Sequence, residues 1–172
     1  MVQQLFIEFI VAALKLIAAI ILSVGALYSG INLLDRLTQG IDEWTEMKKG
    51  NVAIGIFLAS VMASVMLLVE PRIADLVFYI RADLPLYVVV KILALTFVNY
   101  IIALLVSLFV IFLSINVITR LTTDLDEFSE LKKGNVAVAL ILAAALLLVA
   151  FAARAPLESI FGKLTSMETS LL

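Results

Sequence analysis

One segment of this chain occurs twice, 84 residues apart. Residues 31–54 read INLLDRLTQGIDEWTEMKKGNVAI, and residues 115–138 read INVITRLTTDLDEFSELKKGNVAV. Fourteen of the twenty-four positions are identical, and most of the others exchange one apolar side chain for another. The repeated segment is a polar loop between two long apolar stretches. A duplication of this kind predicts two equivalent helical hairpins, because each loop would join two helices.

Four apolar blocks dominate the composition, in which 64% of residues are hydrophobic and the mean hydropathy is +1.19. Soluble domains average roughly 45–50% apolar residues. A helix needs about 20 residues to cross a hydrocarbon core of ~30 Å, and each block is long enough. We therefore expect an all-α integral membrane protein with four transmembrane helices, at about 5–34, 51–69, 86–118 and 135–153.

The duplication divides the chain into two repeats, 1–84 and 85–172. Each repeat ends in a segment whose apolar residues follow the spacing of an amphipathic helix. We expect these segments, at about 71–82 and 156–168, to form short helices in the membrane interface. A short helix packed on its neighbours in solvent is the alternative. Pro71 and Pro156 stand near the start of each segment, where a missing N–H costs a helix nothing.

The orientation of the repeats follows from their having two spans each. Both repeats should cross the membrane in the same direction, with the polar loops on one side and the termini on the other. The loop side carries six basic residues: Arg36, Lys48, Lys49, Arg120, Lys132 and Lys133. The other side carries four: Arg72, Arg81, Arg154 and Lys163. The positive-inside rule therefore predicts cytoplasmic loops and outside termini in the cell membrane.

Each polar loop predicts a short helix that ends in a sharp corner. In the second copy Asp124 can cap this helix, with Glu127 three residues later in a capping-box arrangement. A glycine then fits the left-handed position after the helix, and the asparagine that follows can cap the next span. The residues of this structural corner motif are Lys49, Gly50, Asn51, Lys133, Gly134 and Asn135.

Six acidic residues in the two loops allow two interpretations. They are Asp42, Glu43, Glu46, Asp126, Glu127 and Glu130. Asp42 and Glu46 stand four residues apart, which is a repulsive pairing on a helix and favours a binding role. Clustered carboxylates suit divalent cations, but the adjacent lysines can neutralise the acids, so a protein-docking surface is favoured over a metal site. The structural alternative is that the acids stabilise the positive end of the short helix.

The corner motif also carries a family resemblance. It occurs as Glu46…Lys49-Gly50-Asn51-Val52-Ala53 and as Glu130…Lys133-Gly134-Asn135-Val136-Ala137-Val138-Ala139. This pattern resembles DUF350, a family of small four-span bacterial and archaeal membrane proteins of unknown function. The first copy departs from it with Ile54-Gly55 where the second has Val138-Ala139. The resemblance covers both copies and implies a two-repeat, four-span architecture in the cell membrane, without implying a reaction or a ligand.

The two long spans contain six charged or amide side chains: Glu8, Lys15, Asn32, Lys91, Asn99 and Asn116. A charge in hydrocarbon is unfavourable by about 3 kcal/mol even on lenient scales. Glu8 and Lys91 should lie at similar depth on the two long spans, so they either form an ion pair or both extend to the interface. Asn32 and Asn116 occupy equivalent positions and should bond a neighbouring helix. Lys15, with Asn99 at its equivalent, should face a partner, a subunit contact or a water-filled cavity.

The residue inventory narrows the functional classes. The chain has no Cys and no His, and no catalytic constellation or phosphate-binding loop is present, so we expect no enzyme activity and no cofactor. A net charge of −2 does not indicate nucleic-acid binding. An oligomeric membrane scaffold that presents its loop helices to a cytoplasmic protein is favoured. The alternative is an oligomeric ion or small-solute channel or transporter that uses Lys15, Asn99, Glu8 and Lys91.

Overall fold

A computed structural model describes residues 2–38, 41–80, 85–121 and 126–170. Over these ranges the chain forms six helices and no strand. The helices are α1 (Val2–Leu37), α2 (Glu43–Lys48), α3 (Val52–Phe78), α4 (Leu86–Leu121), α5 (Glu127–Lys132) and α6 (Val136–Ser170). The first residues of α1, α2 and α3 recur 84 positions later as those of α4, α5 and α6. The internal repeat of the sequence is thus also a repeat of structure.

Four of the six helices, α1, α3, α4 and α6, are long and apolar enough to cross a membrane. The expected all-helical membrane protein with four candidate spans is therefore confirmed. The two long helices exceed their predicted lengths, because α1 and α4 each extend over 36 residues. At 1.5 Å per residue this is about 54 Å, well beyond the ~30 Å of a hydrocarbon core.

The separate interfacial helices expected after Pro71 and Pro156 are not formed. Instead α3 continues through Pro71 to Phe78, and α6 continues through Pro156. Packing explains the first case, because Arg72, Ile73 and Leu76 are buried against the rest of the bundle. Such contacts hold the helix together although a proline removes one of its hydrogen bonds. The expected segment 71–82 also includes residues 81 and 82, which lie outside the described residues.

The core of the bundle is centred on α3, which packs against α1, α4 and α6 and against both short helices. Its side chains Ile54, Phe57, Val61 and Val65 are all but inaccessible to solvent. A glycine allows α1 to approach closely, because a Cβ added at Gly30 would lie 3.0 Å from Cγ2 of Val65. The most extensive helix contact of the chain joins α3 to α6.

Candidate functional site

The corner of each repeat begins with a capped short helix. Asp42 caps α2, since its carboxylate accepts a hydrogen bond from the Thr45 backbone N–H at 3.0 Å. Asp126 caps α5 in the same way through the Ser129 N–H at 3.1 Å. The predicted cap at Asp124 is therefore wrong, because α5 begins two residues later than that cap requires; Asp124 itself lies outside the described residues. The hydroxyl and N–H of Thr45 lower the pKa of Asp42.

A left-handed glycine then ends each short helix. Gly50 has a φ of 84° and Gly134 a φ of 81°, a conformation that costs other L-residues energy. The Asn51 N–H donates to the Glu46 carbonyl at 3.0 Å, and the Gly50 N–H donates to the Met47 carbonyl at 2.9 Å. This pair of bonds is the Schellman arrangement, and the same pair closes α5. The left-handed corner expected from the sequence is therefore observed in both repeats.

The asparagine of each corner links the short helix to the following span. Oδ1 of Asn51 accepts from the Ile54 N–H at 3.2 Å, and Oδ1 of Asn135 accepts from the Val138 N–H at 3.4 Å. These bonds satisfy backbone donors that a helix start leaves without partners. The Asn135 side-chain amide also donates to Oε2 of Glu130 at 2.8 Å, and the Asn51 amide donates to Oε2 of Glu46 at 3.5 Å.

A glutamate holds each corner from the side of the short helix. Glu46 accepts from Nζ of Lys49 at 2.7 Å, and Glu130 accepts from Nζ of Lys133 at the same distance. The bond from Lys49 lowers the pKa of Glu46. In the second repeat the bonds from Asn135 and Lys133 lower the pKa of Glu130, and its carboxylate raises the pKa of Lys133. Both glutamates are thus committed to contacts within their own corners.

The remaining pair of predicted docking acids, Glu43 and Glu127, is buried. The Thr38 hydroxyl hydrogen-bonds the Glu43 carboxyl, and burial raises the pKa of Glu43. Oε1 of Glu127 has no hydrogen-bond partner among the described residues. All six acids therefore have local structural surroundings, as caps, corner contacts or buried groups. The charged groups exposed on the short helices and their caps include Lys48, Lys49, Lys132 and Lys133.

The two corners lie in direct contact. The Asn51 side-chain amide donates to the backbone carbonyl of Leu131 at 3.0 Å and to that of Lys132 at 3.3 Å. Beside this bond the rings of Phe57 and Phe128 meet edge to face, with centroids 6.3 Å apart. Both corners therefore stand at the same end of the bundle. Sequence reasoning assigned Asn51 only a local cap and missed this contact between repeats.

Charged groups of α3 and α6 meet further along the two helices. Nη2 of Arg154 lies 3.1 Å from Oε2 of Glu70, and Nε of Arg154 donates to Oε1 of Glu158 at 2.7 Å. Because the beginnings of α3 and α6 are also close together, the two helices run parallel. The sequence did hold a signal for this pair, since Glu70 and Arg154 are 84 residues apart and opposite in charge.

Of the two alternatives for Glu8 and Lys91, the ion pair is not formed within the chain. Both side chains are exposed and no ion pair joins them, because α1 reaches α4 at another level, where the Tyr100 hydroxyl donates to the Leu22 carbonyl at 2.8 Å. Asn99 is buried. Its equivalent Lys15 is partly exposed and forms no salt bridge within the described ranges.

The paired asparagines near the loop end of α1 and α4 also differ from expectation. The Asn116 side-chain amide donates to the Phe112 carbonyl of its own helix at 2.7 Å. Asn32 is partly buried, and its side chain forms no hydrogen bond in the part of the chain that the structure describes. Among the described residues, neither asparagine therefore forms the expected bond to a neighbouring helix.

Comparison with known proteins places the chain in a family. The DUF350 family, described as a domain of unknown function, matches the chain twice, over residues 5–98 and 90–169. No curated protein and no solved structure shows significant similarity to the chain. Since the two matches together span nearly all of the sequence, and since the four apolar helices and the doubled corner agree with them, the chain belongs to the DUF350 family.

Proposed function

We propose that this protein is a non-enzymatic, oligomeric scaffold of the cell membrane that presents its paired corners to a protein partner in the cytoplasm. The observation that carries the proposal is the contact between the corners, through Asn51 and the carbonyls of Leu131 and Lys132. Both corners are built by matching hydrogen bonds and form one surface at one end of the bundle. A fixed surface of this kind suits docking, because little conformational freedom is lost when a partner binds.

The charge of this surface indicates the chemistry of the partner. The exposed charged groups of the short helices and their caps are two aspartates, Asp42 and Asp126, and four lysines, Lys48, Lys49, Lys132 and Lys133. Lys49 and Lys133 pair with Glu46 and Glu130, and Glu43 and Glu127 are buried, so exposed basic groups outnumber exposed acidic groups. We therefore propose a partner with an acidic surface. This revises the sequence-based hypothesis, in which the acidic residues themselves met the partner.

The membrane topology belongs to the same proposal. The two hairpins would cross the bilayer in the same direction, each as a long and a short span. The excess of basic residues on the corner side supports a cytoplasmic location for α2 and α5, with both termini outside.

Site-specific photo-crosslinking tests the docking surface in cells. A photoreactive residue is placed at Lys48 or Lys132, and as a matched control at Phe78, which is exposed at the opposite end of α3. A discrete protein adduct from the two corner positions is the expected result. It should be absent from the control and weakened when the lysine of the other corner, Lys132 or Lys48, is replaced by Glu. Adducts of equal yield from the control position, or none from the corners, would contradict the proposal.

A channel is the second candidate, and Lys15 is the observation in its favour. This charged residue lies well inside the span of α1, has no salt bridge in the described ranges, and is not fully buried. Such a group marks a polar pathway in many membrane proteins. Single cysteines at positions 15 and 99, probed with a water-soluble thiol reagent, discriminate the two functions. Labelling at both positions would favour a water-filled pathway, and protection at both would favour a packed scaffold.

A further inference from the structure

The two short spans, α3 and α6, have unequal surroundings although they hold equivalent positions in the two repeats. Helix α3 packs against the long helix and the corner helix of its own repeat, and also against α4 and α5 of the other repeat. Helix α6 packs against its own α4 and α5, but within the described residues it makes no more than marginal contact with α1 or α2. In the first repeat α3 is covered by α4 and α5 of the second repeat. The equivalent cover for α6 would be α1 and α2, and α6 lacks it.

Equivalent residues of the two helices record this difference in their exposure. Phe57 on α3 is 2% exposed, whereas its equivalent Ile141 on α6 is 66% exposed. Ser64 is 0% exposed, whereas its equivalent Leu148 is 68% exposed. The face of α3 that the second repeat helps to cover is thus uncovered on α6.

The long helices show the complementary difference. Ile92, Thr96 and Asn99 form part of a buried stripe on α4, the long helix that packs on the short helix of the other repeat as well as on its own. The equivalents on α1 are exposed or only partly covered: Glu8, Ala12 and Lys15. Lipid would suit an apolar face, but it does not suit the charge of Lys15. The stripe on α1 therefore needs a protein neighbour.

The corners repeat the pattern. The rings of Phe57 and Phe128 join α3 to α5, but their equivalents, Ile141 and Trp44, are both exposed. Both asparagine amides donate to the glutamate of their own corner, Glu46 or Glu130, but only the Asn51 amide also donates to carbonyls of the other repeat, on α5. The second repeat therefore offers the half of a corner contact that the first repeat would complete.

From these matched gaps we infer that copies of this chain assemble head to tail, with α6 of one copy covered by α1 and α2 of the next. The inference deepens the proposed function, since it rests on the oligomer in that proposal and states how it is built. The surfaces that lack partners, on α6 and on α1 with α2, are the sequence equivalents of surfaces that already pack together inside the chain. A second copy of the chain is therefore the partner that fits these surfaces, because equivalent surfaces already pack against each other inside one chain.

Charge complementarity supports the same arrangement. Glu70 and Arg154 hold equivalent positions and pair within the chain at 3.1 Å. When the relation between the two repeats is applied once more, Arg154 meets Glu70 of the next copy, so acidic and basic groups alternate around the assembly. Head-to-tail contacts close into a ring when the rotation between repeats divides a full turn. Two copies would give a ring of four repeats, and the same contact would serve larger rings.

Cysteine cross-linking between two distinguishable chains tests the contact, and the chain offers a cysteine-free background. One chain carries Trp44→Cys and the other, with a tag of different size, carries Ile141→Cys; both positions are exposed, so folding should tolerate them. After treatment of native membranes with a short bifunctional thiol reagent, we expect a mixed dimer. The matched control is Phe57→Cys with Phe128→Cys in one chain, which should cross-link within the chain.

A second cysteine pair tests the same contact at another position, in case one substitution disturbs the corner. One chain carries Glu70→Cys and the other Arg154→Cys, and a mixed dimer is again expected. Absence of mixed dimers from both pairs, or cross-links only between identical positions, would overturn the head-to-tail contact. The mass of the detergent-solubilised wild-type protein tests the oligomeric scaffold separately from the head-to-tail contact. A monomer would refute both the oligomeric scaffold and this contact. A multimer without mixed cross-links would refute this contact alone.

Discussion

Glu70 and Arg154 occupy the same position in the two repeats and form an ion pair, with 3.1 Å between Oε2 and Nη2. Residues at one repeat position meet across a packed pair only when the two helices run parallel and in register. The duplicated helices have therefore acquired opposite charges at the point where they face each other. The charge difference between the two repeats thus lies at the contact between α3 and α6.

The ion pair should be weakly stabilising, because both side chains are partly exposed. In a double-mutant cycle with Glu70→Gln and Arg154→Gln, we expect a coupling free energy of roughly 0.2–1 kcal/mol, the usual range for exposed pairs. Unfolding of the purified protein in detergent at low ionic strength measures it, and the coupling should shrink at high salt. Strictly additive effects of the two substitutions would contradict the contact.

The two corner asparagines should differ in their contribution to stability. Replacement of either one by alanine removes a helix cap, at a cost of about 1 kcal/mol. Each asparagine also bonds the glutamate of its own corner, so the two variants are compared in dissociated chains that carry Glu46→Ala and Glu130→Ala. There Asn51→Ala should cost about 1 kcal/mol more than Asn135→Ala, because it alone also removes a bond to the Leu131 carbonyl. Urea unfolding in mild detergent compares the two variants. Equal losses would mean that the contact between corners contributes nothing.

The corner glycines should resist substitution. Gly50→Ala and Gly134→Ala each place a side chain at positive φ and should cost roughly 1–2 kcal/mol. Gly55→Ala is the matched control, because no atom lies within 4 Å of the added Cβ and alanine favours a helix. Thermal unfolding should show a loss of stability for both corner variants and none for the control. A corner variant as stable as the wild type would exclude the left-handed turn.

Acidification should weaken the corners. The pKa values of Glu46 and Glu130 are lowered in the folded state, chiefly by bonds from Lys49 and Asn135 respectively. A lowered pKa contributes stability that is present above the unfolded value, near 4.5, and is lost as the pH falls through the folded value. Thermal unfolding between neutral pH and pH about 3.5 should therefore show a loss of stability that is smaller in the double variant Glu46→Gln, Glu130→Gln.

Glu43 should affect the pH dependence of stability in the opposite direction to Glu46 and Glu130. Burial raises its pKa, so its charged form is unfavourable in the folded state at neutral pH. Glu43→Gln should therefore leave stability unchanged or increase it at neutral pH, and this advantage should diminish on acidification as Glu43 itself becomes protonated. The double variant Glu46→Gln, Glu130→Gln and the variant Glu43→Gln should therefore respond to acidification in opposite directions. If both respond in the same direction, the carboxylates of Glu46 and Glu130 are not held by the corner contacts.

Local sequence signals predicted the helices and the corners well. Hydropathy and the 84-residue offset located the four apolar helices, and the Lys-Gly-Asn motif located both left-handed glycines. These features depend on residues near in sequence, as the caps and turns of a chain generally do. The start of α5 was missed by two residues, because aspartate is a favourable cap at either position, 124 or 126, and the helix is capped by Asp126.

Relations between distant segments were not predictable from the pattern alone. The proposed Glu8–Lys91 pair assumed that equal depth on two helices means contact, but α1 meets α4 elsewhere. Pro71 signalled a helix start, although buried contacts of Arg72 and Ile73 carry α3 past it. The asymmetric surroundings of α3 and α6 were also not predicted, because most differences between the two helices exchange one apolar side chain for another, and the partners of each helix depend on tertiary packing.

An assay of membrane topology tests the proposed architecture most directly. Reporter domains fused after residue 45 and after residue 129 register the side of the membrane on which each corner lies. With two hairpins that cross in the same direction, both fusions should report the cytoplasm. Reporters that emerged on opposite sides of the membrane would contradict the parallel pair of hairpins, the shared docking surface and the head-to-tail assembly together.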